Sequence, residues 1–206
     1  MSDVAFPYAL DENGNFVCIN DLTNVNIVGH VYKCPVCGKE GLMDSKDSSL
    51  WCNHCHAKWE MDIYGKLNQV NGTSRFDLVS DWYRWEKEEV YKEVNEGTYN
   101  FEDEVRLEII SKKTLKFVEI GSVNLVHNEK GYTLDGTLDD GSKFYLEKPC
   151  LSTRSMHIEF DYRGRGNALD IATIDDTWFA YPKTKGAILM KFNFATEALF
   201  FKNKTN

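Results

Sequence analysis

Two Cys-x-x-Cys pairs, Cys34/Cys37 and Cys52/Cys55, constrain this chain more than any other feature. Fourteen residues separate them, enough for two short strands that return the second pair to the first. A tight Cys-x-x-Cys turn presents two thiolates from one loop, and two such loops complete a tetrahedron of the kind structural zinc takes. Gly38 directly after the first pair helps the chain turn. The expectation is one structural zinc ion on Cys34, Cys37, Cys52 and Cys55, in a zinc ribbon spanning residues 31–75. Four cysteines fill the coordination shell and leave no position for a reacting water. A segment this short buries too little to fold alone, so metal binding would supply its folding free energy. His54 and His56 flank Cys55 and break the two-residue spacing as ligands, so both are expected to point outward. His30 is expected at the surface or behind the ligands.

Residues 1–30 read as a polar extension with a small hairpin, Tyr8-Ala9-Leu10 and Phe16-Val17-Cys18-Ile19 around the turn Asp11–Asn15. Residues 76–206 read as a helix followed by an antiparallel β-rich domain. The helix covers 80–97, capped by Ser80 or Asp81 and stopped at Gly97, with Tyr83, Val90 and Val94 on one face, flanked by Trp82 or Trp85 and Tyr91. Arg84, Glu88 and Lys92 lie four apart on its outer face. Candidate strands follow at 104–111, 115–126, 131–138, 143–148, 156–162, 168–173, 177–181 and 187–194. Alternation such as His157-Ile158-Glu159-Phe160-Asp161-Tyr162 gives each strand one wet face. The fold class is therefore mainly β: a ribbon, one helix, and a sandwich or barrel-like domain, closed by a C-terminal helix over 195–202 where that tail is helical. The pleckstrin type is one such helix-closed barrel.

The formal charge of −8 bounds the partners. A zinc site of four thiolates carries about −2 more. Nucleic-acid binding draws on Lys and Arg that neutralise phosphates, so this balance opposes the usual reading of a ribbon. The only basic stretches are Ser111-Lys112-Lys113-Thr114-Leu115-Lys116 and Arg163-Gly164-Arg165, both turn-like. No apolar run reaches the roughly 18–20 residues of a membrane span, and the N-terminus does not read as a signal peptide. A cytoplasmic protein is expected, with Cys18 and Cys150 reduced and buried. Catalytic motifs with a nucleophile elbow, a zinc-protease helix or a phosphate loop are absent. The best enzyme constellation is His157, Glu159 and Asp161 along one strand, which on an alternating strand is ordinarily the wet face. The chain reads as a non-enzyme.

Several stretches carry a resemblance. Tyr32-Lys33-Cys34-Pro35-Val36-Cys37-Gly38, Trp51-Cys52-Asn53-His54-Cys55, Asp81-Trp82-Tyr83-Arg84-Trp85-Glu86, Glu96-Gly97-Thr98-Tyr99, His157-Ile158-Glu159-Phe160 and Ala195-Thr196-Glu197-Ala198-Leu199 run in order over residues 31–202. Together they resemble the C-terminal extension behind the acyltransferase domain of some Firmicutes lysophospholipid (1-acylglycerol-3-phosphate) acyltransferase-like proteins. In that family an upstream His-x-x-x-x-Asp motif carries the chemistry. Here Asp161 follows His157 at four positions, not five, so no acyltransferase activity carries over. Glu96-Gly97-Thr98 lacks the flanks of the family's acceptor motif and reads as a helix end. The resemblance implies either an excised extension or a free-standing relative, and the polar first 30 residues favour the latter. It implies a non-catalytic accessory module, linked to phospholipid metabolism, with a protein or lipid-headgroup partner. The alternatives are a nucleic-acid-associated ribbon protein and a hydrolase using His157, Glu159 and Asp161.

Overall fold

The computed structural model describes residues 8–10, 16–18 and 30–204. Strands β1 (Tyr8–Leu10) and β2 (Phe16–Cys18) pair antiparallel, as the expected hairpin requires. Its turn at 11–15, residues 19–29 and the burial expected of Cys18 lie outside the described residues. The chain divides into two compact units, Met1–Arg84 and Trp85–Asn206. The division falls inside helix α1 (Val79–Glu96), later than the ribbon boundary the sequence suggests at residue 75.

The first unit holds a four-stranded antiparallel sheet in sequential order: β3 (Met43–Lys46), β4 (Ser49–Cys52), β5 (Lys58–Met61) and β6 (Leu67–Gln69). Leu50 and Trp59 are cross-strand partners, and both are buried. Trp82, in the first turn of α1, packs edge-on against Trp59 at 5.0 Å and stacks on Phe76. Its indole N–H donates to the Lys33 carbonyl at 2.9 Å. Ring burial of this size dominates so small a core, and the buried indole N–H is satisfied. Of the face expected on α1, Val90, Val94 and the flanking Trp82 are buried, while Tyr83 is only half-buried; Glu86 completes a strict four-residue stripe. Arg84, Glu88 and Lys92 are exposed, as expected.

The second unit is one seven-stranded antiparallel sheet. Four strands form a meander: β7 (Phe101–Ile110), β8 (Phe117–Asn128), β9 (Gly131–Thr137) and β10 (Lys143–Pro149). Three more follow: β11 (His157–Glu159), β12 (Ala168–Ala172) and β13 (Thr177–Pro182). The spatial order is β10-β9-β8-β7-β13-β12-β11, so pairing of the first strand with the last joins the two meanders. Helix α2 (Ile188–Lys204) lies on one face of this open sheet. Its Phe192 meets Phe101, His127 and Tyr132 with ring centroids 4.2–5.7 Å apart.

The stretch 187–194, expected as a strand, is the first half of α2. Lys191 and Asn193, alternating with Met190, Phe192 and Phe194, imitate a period of two. A helix buried on nearly all sides shows no clean 3.6 period to set against it. Ile188, Leu189, Met190, Phe192, Phe194, Ala195, Ala198 and Leu199 are all buried. The buried Lys191 reaches Glu93 of α1 at 3.0 Å, and Lys87 reaches Glu197 at 2.7 Å. Gly97, in the left-handed region at φ 72°, ends α1 with the Thr98 N–H on the Glu93 carbonyl. The Lys202 amine adds a charge-assisted bond to the Val94 carbonyl at that same helix end. Among the described residues no helix is long and apolar enough to cross a membrane.

His127 sits at the centre of this core. Burial pulls its imidazole down to about 3, so it is neutral, and the Tyr99 hydroxyl lies 3.0 Å from Nδ1. The unfolded chain takes up this proton near pH 6.5, whereas the folded chain does so only near pH 3. Folding stability is therefore undiminished above about pH 6.5 and falls as pH drops from there towards 3. The slope from this one group is about 1.4 kcal/mol per pH unit. A His127→Phe variant removes that component. Denaturant midpoints between pH 4.5 and 7 will fall less steeply for it than for the parent; equal slopes would refute the assignment.

Candidate metal centre

Each cysteine pair sits in a hydrogen-bonded knuckle. In the first, the Cys34 N–H donates to Lys39 O (2.8 Å) and the Gly38 N–H to Cys34 O (2.9 Å). In the second, the Cys52 N–H donates to Ala57 O (2.9 Å) and the His56 N–H to Cys52 O (2.9 Å). The two loops are built alike. The second is the turn of the β4–β5 hairpin. Pairing of Met43 with Cys52, and the bond from the Asn53 N–H to Leu42 O, hold the first beside it.

The four Sγ atoms lie within 4.8 Å of one another. The distances across the knuckles are 3.6 Å for Cys34–Cys55 and 3.8 Å for Cys37–Cys52. A disulfide needs about 2.05 Å, and all four are free thiols. A tetrahedral ion with metal–sulfur bonds of about 2.3 Å needs sulfur–sulfur edges of about 3.8 Å. Cys34 and Cys52 are buried; Cys37 and Cys55 face outward in part. Burial pushes the Cys34 and Cys37 thiols up. Cys55 is drawn down despite its own desolvation, by the Ala57 N–H and the neighbouring thiols. A divalent cation would hold all four as thiolates. His54, His56 and His30 are exposed, and the four-atom group is made of cysteines alone. Cys150, outside this group, is only half-buried.

The similarity of the knuckles exposes one difference. Gly38 follows the first pair at φ 71°, and its missing Cβ would meet nothing within 4 Å. The equivalent position after the second pair is His56, at φ 60°. A left-handed conformation costs a residue with a side chain roughly 1–2 kcal/mol.

The row His157, Glu159 and Asp161, the alternative offered for an enzyme, is not brought together as one group. Strand β11 ends at Glu159, and Asp161 turns into the left-handed region at φ 43°. There its carboxylate accepts the Gly166 N–H, while its own N–H donates to Asn167 Oδ1. The companion of His157 and Glu159 is Asp170 on β12. Alternation along one strand could not reveal it, because it arrives through cross-strand register.

Both arginines of one basic turn, and one lysine of the other, are paired with carboxylates of the same fold. Tyr162–Arg165 folds over the sheet face opposite α2, with Tyr162 stacked on Phe179 and the Arg163 guanidinium 3.9 Å over the Phe117 ring. Arg163 and Arg165 both pair with the fully buried Glu108, and Arg165 also bonds Glu119 at 2.7 Å. The Tyr181 hydroxyl donates to Glu108 at 3.1 Å. In the other turn, Lys112 pairs with Asp176 at 3.0 Å. No local pattern marks Glu108 as buried, since it stands in the charged run Glu102–Glu108.

No protein-family model matches the chain, no curated protein matches it, and no solved structure matches it.

Two substitution sets test this geometry. Gly38→Ala will lower the stability of the metal-loaded protein by about 1 kcal/mol, whereas His56→Gly will not lower it. Denaturant titration checks both, and equal losses would contradict the knuckle conformations. Glu108→Gln leaves two guanidiniums and a phenol facing a neutral amide. A loss of about 2 kcal/mol in the same measurement is expected, discounted from the figure for fully buried pairs because both arginines are about a third exposed.

Proposed function

We propose that this chain is a non-catalytic accessory module of the cytoplasm, in which a structural zinc ribbon accompanies a helix-backed β domain. The observation that carries the reading is the set of four cysteine sulfurs at the spacing of a zinc tetrahedron. Sulfur donors select a soft or borderline ion, and zinc is the one that needs no redox partner. With four thiolates its shell is full. The ion then organises residues 31–70 and offers no position to a substrate. Cys34, Cys37, Cys52 and Cys55 hold it. The β domain, on this reading, binds a protein or lipid-headgroup partner in the phospholipid-metabolism setting that the acyltransferase-extension resemblance implies.

The charge distribution favours this over a nucleic-acid ribbon. The chain is acidic, and Arg163, Arg165 and Lys112 are engaged by carboxylates of the same fold. A phosphate backbone would have to compete with Glu108 and Glu119 for the two guanidiniums.

Native mass spectrometry of the zinc-replete, reduced protein, before and after a strong chelator, tests the reading. One zinc per chain is expected, and its removal should be accompanied by red-shifted tryptophan emission as Trp59 and Trp82 become exposed. In the same experiment, anionic lipid extract or a co-purifying protein should be retained and short nucleic acids should not. Protein that carries no metal would overturn the ribbon assignment. Retention of nucleic acid alone would overturn the accessory-module reading while leaving the zinc site intact.

A further inference from the structure

We propose that His157, Glu159 and Asp170 form a second metal site, open to solvent, on the β11–β12 edge of the sheet. It would bind a divalent first-row transition ion such as zinc. The proposal is independent of the ribbon, because no cysteine takes part and all three residues belong to the second unit.

The backbone fixes the placement. His157 and Asp170 are directly opposed across the antiparallel β11–β12 pair. Opposed residues share a face, and Glu159, two positions along from His157, returns to that same face. One ligand atom from each of the three lies within 4.8 Å of the others. His157 Nδ1 is 3.7 Å from Glu159 Oε1 and 3.5 Å from Asp170 Oδ2.

Those separations are long for hydrogen bonds from an imidazole to a carboxylate, which fall at about 2.7–3.2 Å. They match the edges of a coordination polyhedron. Metal–nitrogen and metal–oxygen bonds of about 2.0–2.2 Å give tetrahedral edges of about 3.4 Å. The charges fit as well. Two carboxylates lie diagonally on one face of the strand pair, and among the described residues neither makes an ion pair with a lysine or arginine. Asp170 faces His157 through Oδ2. A divalent cation bound by two carboxylates and a neutral imidazole leaves no net charge. The imidazole favours zinc and its neighbours over calcium or magnesium, which prefer all-oxygen shells. Three protein donors leave at least one position for water.

The rival arrangement is a protonated His157 bridging two carboxylates with no metal. Isothermal titration of zinc into protein already carrying its ribbon zinc separates the two. The expected result is one further equivalent with a dissociation constant in the micromolar range. His157→Gln and Asp170→Asn should each weaken it at least tenfold, with the ribbon zinc retained in native mass spectra. Both side chains are partly or largely exposed, so the variants should fold; matching thermal melts will check this. Absence of a further equivalent overturns the proposal. So does a further equivalent that both variants keep at unchanged affinity, which would place the ion elsewhere, for instance on the exposed His54 and His56.

Discussion

The pairing of β7 with β13 is the constraint on which the second unit depends. Each of the two meanders could form from neighbouring strands, but separately they would expose two more edges and divide the apolar surface. Joining them through ten-residue β7 makes one sheet with one continuous face for α2. It also buries β13 on both sides. Ala180 lies on one face, and Phe179 and Tyr181 lie on the other beneath the Tyr162–Arg165 turn. The register shift between Leu107 and Glu108 lies on this central strand. Val105 and Leu107 are buried just before it and Glu108 just after it, so burial here departs from strict alternation.

The buried Glu108 shows why the charge pattern matters beyond solubility. A lone buried carboxylate would be strongly destabilising, but two guanidiniums and a phenol satisfy it. The same contacts tie a glycine-containing turn, itself closed by backbone bonds, to the sheet beneath it. Arg163 gains further contact by lying over Phe117, where its flat, weakly hydrated group is better suited than an ammonium. An apparently basic surface loop is thus a polar clasp on the sheet.

What the sequence could and could not reveal follows from the range of each signal. The cysteine knuckles were legible because their chemistry is local: two residues lie between the cysteines of each pair, with a glycine beside the first. Most strands were legible because one face is wet. Helix α1 was legible as an element, with Val90 and Val94 on its buried face, but the choice between Trp82 and Tyr83 was not, since only packing against Trp59 and Phe76 makes it. The first half of α2 was misread because burial on nearly every side erases periodicity. Glu108 and Asp170 were out of reach for a different reason. Each acquires its role from residues that are distant in sequence: Arg163 and Arg165 for Glu108, and the β11 register for Asp170.

The two clusters of donor atoms in this chain differ in the property that decides what an ion can do. In the first unit four cysteines, two of them buried, lie close together, and the coordination energy of an ion among them would go into holding two loops together. On the β11–β12 edge the donors are one imidazole and two carboxylates on a single face, with His157 70% exposed. Nothing in the fold needs an ion there, because the strand register is already set by backbone pairing with β12. An ion at that edge would keep water in its shell and exchange with solvent, so its occupancy would follow the metal supply. An ion in the ribbon would instead be retained for as long as the loops stay folded. Donor hardness separates them as well: thiolates hold zinc against harder ions, whereas the mixed nitrogen and oxygen set accepts several divalent first-row metals, with affinities that follow the Irving–Williams order.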